Sequence, residues 1–453
     1  MKNVHNLIIL GGGPAGYFAA ERAADAGLRA LLLEERALGG VCLNEGCIPT
    51  KAFLYSAKLA ASARHSAEFG VFAENISIDH KKVLDRKNKI VQKLVGGVAS
   101  TLKQKQVDAI RAKGVITGRT DNGFAVEANG ETYESERLLI CTGSEVIMPK
   151  IDGLDKAIEN GFVVTSRECL DLDTVPERLV IVGGGVIGLE IANYFAIAGS
   201  DVTVIEMLPE VGGPIDADIA ANLRTNLEKL GVKFMLEAKA EGFTQEGVLV
   251  SGAEAVSADK VLLSIGRKPR IAGSGLEILG LYIDKGALIT DSRMRTNVPG
   301  VWAAGDVNGK SMLAHTAYRE AAVSIGDMLG GKDTMKYNAV PQVIYTSPEA
   351  AGVGETERSA ADKGYAFDKA VLPLMYSGRY MAENASGDGF VKAIVCKKTG
   401  RILGLHMVGT YASEIALTMA ILVGSKWTAE TAKKIIYPHP SVGEIIRDVL
   451  IEI

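Results

Sequence analysis

The chain has 453 residues, a formal net charge of -4, 47% hydrophobic and 23% charged residues. That length exceeds what one core sustains, so several domains are expected, and the balanced charge argues against nucleic acid as a partner. Five cysteines in so long a chain do not make a secreted disulfide framework. Met1 to Leu10 carries no leader signal and no later stretch reaches membrane-spanning length, so a cytoplasmic protein with no membrane attachment is expected.

Leu7 to Leu10 reads as a short buried strand, followed at once by Gly11, Gly12, Gly13, Pro14, Ala15 and Gly16 and then by an Ala-rich helix over Tyr17 to Ala26. Strand, glycine turn and helix are the context that a dinucleotide-binding fingerprint requires. Gly11 permits the tight turn, Gly13 lets a pyrophosphate approach the backbone, and Gly16 lets helix pack on strand. A second strand, Ala30 to Leu33, then delivers Glu34, whose carboxylate can accept hydrogen bonds from an adenosine ribose.

Next comes Gly39-Gly40-Val41-Cys42-Leu43-Asn44-Glu45-Gly46-Cys47-Ile48-Pro49-Thr50-Lys51. In an ideal helix the two cysteines would be separated by a rise of roughly 7.5 Å, against about 5.5–6 Å between the α-carbons of a relaxed disulfide. Gly46 and Pro49 supply irregularity able to close that gap. The flanking dinucleotide motifs favour a redox dithiol; a metal site, for which no further ligands lie at short spacing, and a pair of inert buried thiols are the alternatives. A helix polar on one side is expected from Asp79 to Lys105. Leu138 to Ile140 is a buried strand closing through Cys141, a packing residue, into the turn Thr142, Gly143 and Ser144, which returns the chain to the first nucleotide.

The same grammar recurs at Leu179 to Val182, then Gly183, Gly184, Gly185, Val186, Ile187 and Gly188, a helix, and a strand from Asp201 to Ile205 ending in Glu206. Glu206 stands as far behind Gly188 as Glu34 does behind Gly16. One such motif is weak; two copies in the same register are hard to obtain by chance. Glu206 is followed by Met207 and Leu208, not by a cation, so a 2'-phosphate would meet only a carboxylate and NAD is favoured over NADP. Val261 to Arg267 closes this second unit. Farther on, strands at Val340 to Tyr345, Phe390 to Cys396 and Ile402 to Val408 and helices at Ala412 to Val423 and Ala429 to Ile435 form an α+β layer.

GGVCLNEGCIPTK resembles the signature of the class I pyridine nucleotide-disulfide oxidoreductases, in particular the branch that oxidises dihydrolipoamide, and the similarity extends over nearly the whole chain. Thr296 to Gly309 resembles the family's second FAD motif, in which Asp306 would bind the ribityl chain. Met312, Leu313, Ala314 and His315 resemble the helix start that faces the flavin pyrimidine, where a helix N-terminus stabilises the negative charge of reduced flavin. By itself His315 reads as a packed or capping residue. Tyr437 to Glu444 resembles the catalytic His-Glu dyad, with His439 as general base and Glu444 fixing its tautomer.

The resemblance implies an α/β fold with two Rossmann-like dinucleotide-binding domains, for FAD and NAD, plus a C-terminal α+β dimerisation domain. Its parts would be residues 1–146 for FAD, 147–267 for NAD, 268–335 for FAD and the centre, and 336–453 for the interface. It implies a homodimer whose His439 serves the disulfide of the other subunit. FAD would be held by the first fingerprint, Glu34, Gly40, Val41, Lys51, Thr142 to Ser144, Asp306 and Met312 to His315. NAD would be held by Gly183, Gly185, Val186, Ile187, Gly188, Glu206, Gly266 and Arg267. Lys51 would sit beside flavin N5, paired with Glu190. Cys42 would meet the dithiol and Cys47 would lie nearer the flavin.

The function so implied is NAD-linked oxidation of dihydrolipoamide carried on a lipoyl domain of a 2-oxo acid dehydrogenase or glycine cleavage complex. A disulfide reductase with another substrate, a single-cysteine NADH oxidase or peroxidase, and a non-catalytic NAD-responsive binder are the alternatives. Val41 and Glu45 depart from the usual signature. Glu45 puts a negative charge beside the thiols, which opposes thiolate formation unless the side chain points to solvent.

Overall fold

The computed structural model describes residues 4–121, 123–385 and 387–453; residues 1–3, part of the stretch read for a leader, lie outside them. Two compact units emerge. The first comprises Met1–Pro49, Asp85–Met148 and Gly266–Lys336, and the second Thr50–Leu84, Pro149–Ile265 and Tyr337–Ile453. Among the described residues no helix is long and apolar enough to cross a membrane.

The first unit is built on strand β1 (Val4–Leu10), with β2 (Ala30–Glu34) parallel on one side and Glu131–Ile140 parallel on the other. Asp108–Arg111 extends the sheet beyond β2, Val301–Ala303 pairs in parallel with Glu131–Ile140, and Val115–Thr120 and Gly123–Ala128 continue it antiparallel to seven strands. Leu7, Ile8, Ile9, Leu31 and Leu32 are wholly shielded, which explains the unbroken apolar runs: both faces of a parallel sheet are covered. Helix α1 spans Pro14–Asp25, starting earlier than the sequence expectation because Pro14 is suited to the first turn and the Gly13 carbonyl already accepts from the Tyr17 N–H at 3.0 Å. The cysteines fall on two helices, α2 (Gly40–Glu45) and α3 (Cys47–Arg64), separated at Gly46 by non-helical angles of φ -142° and ψ -104°.

The second unit repeats the plan. Arg178–Val182 lies between Asp201–Ile205 and Lys260–Leu263, with Lys233–Met235 and Val163–Val164 outermost, all parallel. In both sheets the fingerprint strand sits between the strand that follows it and the strand that closes the unit. The chain therefore reverses direction across the carboxyl end of the fingerprint strand, where such sheets bind ligands. A separate five-stranded antiparallel sheet, of Gln342–Ile344, Ala350–Gly354, Ile402–Val408, Phe390–Cys396 and Phe367–Pro373, shares an apolar core with residues of Ala412–Gly424 and Ile445–Ile451.

Of the elements shorter than expected, two have a local cause. The strand expected to reach Tyr345 ends at Ile344, because the Tyr345 N–H donates to Glu190 instead of a ladder partner. The helix expected to reach Ile435 ends at Ala432, where the N–H groups of Lys434 and Ile435 turn back to the carbonyls of Thr431 and Ala432.

Lys392, on the Phe390–Cys396 strand, has a side chain only 1% exposed and pairs with Asp216 and Glu357, each at 2.7 Å, and with Asp218. Burial opposes its charge, but the three carboxylates outweigh burial and hold the ammonium above its ordinary range. Removing one member of a buried charge group leaves the others uncompensated, so Lys392→Met should cost about 3–5 kcal/mol. A lowered thermal denaturation midpoint checks this, and an unchanged midpoint contradicts it.

Candidate active site

At the first fingerprint the backbones are in contact where the sequence places glycine. A Cβ on Gly16 would lie 1.8 Å from the Gly11 carbonyl oxygen, so α1 can approach β1 only with glycine there. Glu34 Oε2 accepts the Gly12 N–H at 2.6 Å and Oε1 accepts the Arg36 N–H at 2.7 Å, which fixes the carboxylate at the helix entrance with lone pairs to spare. The second copy matches it: Glu206 Oε2 accepts the Gly184 N–H at 2.7 Å and Oε1 the Leu208 N–H at 2.8 Å. Gly185 caps the Val186–Ala198 helix with nothing within 4 Å of where a Cβ would be, leaving room for a phosphate; Val186 is exposed and Ile187 half-buried beside it. Met207 and Leu208, both exposed, offer no cation behind Glu206.

The thiol turn is tied to the first fingerprint. The Gly39 N–H donates to the Gly12 carbonyl at 2.8 Å, and a Cβ on Gly40 would lie 2.7 Å from the Gly13 Cα. Cys42 and Cys47 are both half-buried, as is Val41. The charge on Glu45 does not stand open beside them: its side chain is 14% exposed and forms an ion pair with Arg36. Pairing with a cation, not exposure to solvent, resolves the expected conflict with the thiols. Cys141 is buried, and burial followed by the charge of Glu320 pushes its thiol up, which suits a packing residue.

Around Asp306 the first unit builds a polar network. Ser144 Oγ donates to Asp306 Oδ2 at 2.5 Å and accepts from Arg267 Nε at 2.8 Å, while Arg267 Nη2 donates to the Ser144 carbonyl at 2.8 Å. Burial raises the Asp306 carboxyl against the opposing pull of Ser144 and Arg267. Arg267, the residue expected at the second dinucleotide, directs Nε and Nη2 of its guanidinium to Ser144 in the first unit. Gly266 accepts the Ile147 N–H at 3.1 Å. Thr142 Oγ1 and the Gly143 carbonyl both bond the backbone of Arg270, at 2.6 and 2.9 Å. Met312, Leu313 and Ala314 are half-buried at the start of the Ala314–Met328 helix. His315 is exposed there, not packed.

In the second unit Lys51 Nζ donates to Glu190 Oε1 and Oε2 at 3.0 and 2.8 Å, with Glu190 buried. The Tyr345 N–H donates to the same Oε1 at 3.0 Å and the Tyr345 ring lies 4.3 Å from Lys51 Nζ, so the ammonium is held from two sides. His439 Nδ1 stands 3.1 Å from both oxygens of Glu444; the His439 side chain is 76% exposed and that of Glu444 only 6%. Burial opposes ionisation of Glu444, yet His439, the Ser441 N–H and Arg447 hold its carboxyl below the usual range. An ionised carboxylate only accepts, so Nδ1 carries the proton and Nε2 is the basic nitrogen facing outward.

Sequence reasoning missed Tyr345, Arg36 and Glu320. Glu320 is fully buried and accepts from the Gly305 N–H at 2.6 Å and Asn308 Nδ2 at 2.9 Å, fixing the turn that presents Asp306. A Glu on the inner face of a predicted helix was the one available signal, since a charge is not buried without partners.

Residues 5–321 match the family model of the pyridine nucleotide-disulphide oxidoreductases. The chain belongs to that family. Residues 340–450 match the dimerisation domain of the pyridine nucleotide-disulphide oxidoreductases. Curated relatives include a dihydrolipoyl dehydrogenase of Haloferax volcanii, 37% identical over 98% of this chain and 94% of that protein. Another, from Cupriavidus necator, is 34% identical over 99% and 98%. Among solved structures, LpdA from Mycobacterium tuberculosis has a TM-score of 0.90 at 27% identity, covering 99% of both chains. The flavoprotein disulfide reductase RclA from Escherichia coli, as a Cu(II) complex, has a TM-score of 0.86 at 28% identity over 98% of this chain and 99% of that one.

FAD and NAD are the cofactors of this pyridine nucleotide-disulphide oxidoreductase. The residues fit two dinucleotides: each fingerprint pairs a glycine-opened helix start with a carboxylate anchored by backbone amides. Because a 2'-phosphate would meet the Glu206 carboxylate, NADPH should replace NADH at least about 100-fold less well in kcat/KM. Steady-state comparison of the two checks this, and equal use or a preference for NADPH overturns it.

Proposed function

We propose that this chain is a cytoplasmic, homodimeric dihydrolipoyl dehydrogenase, oxidising dihydrolipoamide on the lipoyl domain of a 2-oxo acid dehydrogenase or glycine cleavage complex with NAD+ as acceptor. The full-length relatives of that name support the substrate. The thiol turn supports the reaction: Cys42 and Cys47 stand on separate helices hinged at Gly46 and anchored against the first fingerprint. Two thiols at the turn disfavour a single-cysteine oxidase or peroxidase. The proposed domain division is 1–146 and 268–335 for FAD, 147–267 for NAD and 336–453 for the interface.

In the proposed reaction a substrate thiolate attacks Cys42 Sγ; the new sulfur–sulfur bond forms as the Cys42–Cys47 bond breaks, and its electron pair stays on Cys47. His439 Nε2 takes the proton of the substrate thiol, the partner subunit supplying this group, while Glu444 stabilises the imidazolium. The second substrate sulfur, its proton lost to solvent, then attacks the first, breaking the bond to Cys42, releasing the cyclic disulfide and leaving Cys42 as thiolate. FAD supplies the route by which the electron pair of the dithiol reaches NAD+. Lys51, held by Glu190 and Tyr345, would offer bound flavin a fixed positive charge.

Incubation of the purified holoenzyme with dihydrolipoamide and NAD+ should yield NADH, and Cys42→Ser should abolish turnover while leaving FAD bound. Normal turnover in Cys42→Ser would remove the mechanism. Glu444→Gln, which disturbs the tautomer without changing size, should lower kcat by about 10²–10⁴-fold; an unaltered kcat would remove the dyad from the reaction.

A further inference from the structure

Helix α1 meets the thiol turn at Gly13 and Gly40, and one turn further along α1 stands Tyr17. Its hydroxyl is hydrogen-bonded to that of Tyr318, on the Ala314–Met328 helix, with the rings edge to face at a centroid distance of 6.0 Å. Phe18 closes the other side of Tyr318 at 5.3 Å, and Gly305 lies between the two helices, its Cβ position 3.4 Å from Ala15 and 3.6 Å from Ala317. The phenols are therefore fixed by packing, not by chance rotamers.

Two hydroxyls sharing one hydrogen bond spend one proton; the accepting hydroxyl keeps its own. Neither hydroxyl has a further partner among the described residues. The charges around the pair are Glu21, from α1 itself, and the thiol turn. Cys42 acts on both phenols and Cys47 on Tyr318. Burial first raises both phenols; the shared hydrogen bond then raises Tyr17 and lowers Tyr318, and the negative neighbours add to the rise of each, so both remain protonated donors through the range in which thiols ionise.

We propose that the paired hydroxyls of Tyr17 and Tyr318 are positioning groups for the dithiol: the proton the pair does not spend internally is donated to negative charge on Cys42. The inference rests on the proposed exchange reaction and deepens it. When the second substrate sulfur bonds to the first, the bond from Cys42 to substrate breaks and its electron pair stays on Cys42. A donor at that sulfur lowers the thiol pKa and makes Cys42 a better leaving group. The pairing supplies what a lone tyrosine would not, because each hydroxyl fixes the orientation of the other.

The test is the pH midpoint of Cys42 alkylation by iodoacetamide in the dithiol-reduced holoenzyme, read peptide by peptide by mass spectrometry. The Tyr17→Phe/Tyr318→Phe double variant keeps both rings and their packing. It should raise the Cys42 midpoint by about one pH unit, which is about tenfold less thiolate at a given pH. Its kcat for dihydrolipoamide oxidation should fall by a similar factor with KM little changed. The single variants show which phenol donates, since that one alone reproduces the double, and wild-type flavin absorbance verifies folding. An unchanged midpoint in the folded double variant, beside a wild-type Cys42 that becomes reactive on reduction, overturns this inference and leaves the proposed reaction standing. A wild-type Cys42 that reduction does not expose overturns both.

Discussion

The contact between Gly13 and Gly40 is the constraint on which the chemistry of the first unit hangs. With its Cβ position 2.7 Å from the Gly13 Cα and a φ of +57°, Gly40 tolerates no side chain without moving the turn. The same glycine pair therefore serves two ends: it opens the entrance of α1 to a dinucleotide and seats the cysteine-bearing helix against it. A redox group that must trade electrons with a bound cofactor is thereby located by backbone contact, not by long flexible side chains.

The rest of the structure supports that arrangement with carboxylates that are each anchored by a donor or a cation. Glu34 and Glu206 are anchored by backbone amides, Glu320 braces the turn that carries Asp306, and Glu190 holds Lys51. Pre-anchoring lowers the ordering cost of binding and confines each carboxylate to one task. Glu45 follows the same rule on a smaller scale, since Arg36 neutralises a charge that would otherwise work against the thiols next to it.

Most of this was legible in the sequence because it depends on short-range patterns. Two glycine fingerprints, each between a strand and a helix and each trailed by a glutamate, marked the parallel strands at the centre of both sheets; of the two residues expected to bring irregularity to the thiol turn, Gly46 separates the cysteine helices and Pro49 lies in the first turn of α3. What was not legible depends on contacts between distant segments. Tyr345 looked like the last residue of a strand, and only the fold brings its N–H to Glu190. Arg267 looked like a partner for the second nucleotide because it follows that unit's closing strand, yet its guanidinium reaches Ser144, far back in the chain. His315 read as a packed or capping residue; its place in the first turn of the helix leaves it exposed, which removes the packed half of that reading.

The most direct measurement is a thiol count before and after reduction. Protein treated anaerobically with a stoichiometric amount of NADH and then with iodoacetamide should carry label on both Cys42 and Cys47, whereas untreated protein should carry it on neither and the buried Cys141, Cys169 and Cys396 should stay unlabelled in both. Labelling of the pair that does not depend on NADH, or labelling of only one of the two, would contradict an electron path between the nicotinamide dinucleotide and this dithiol.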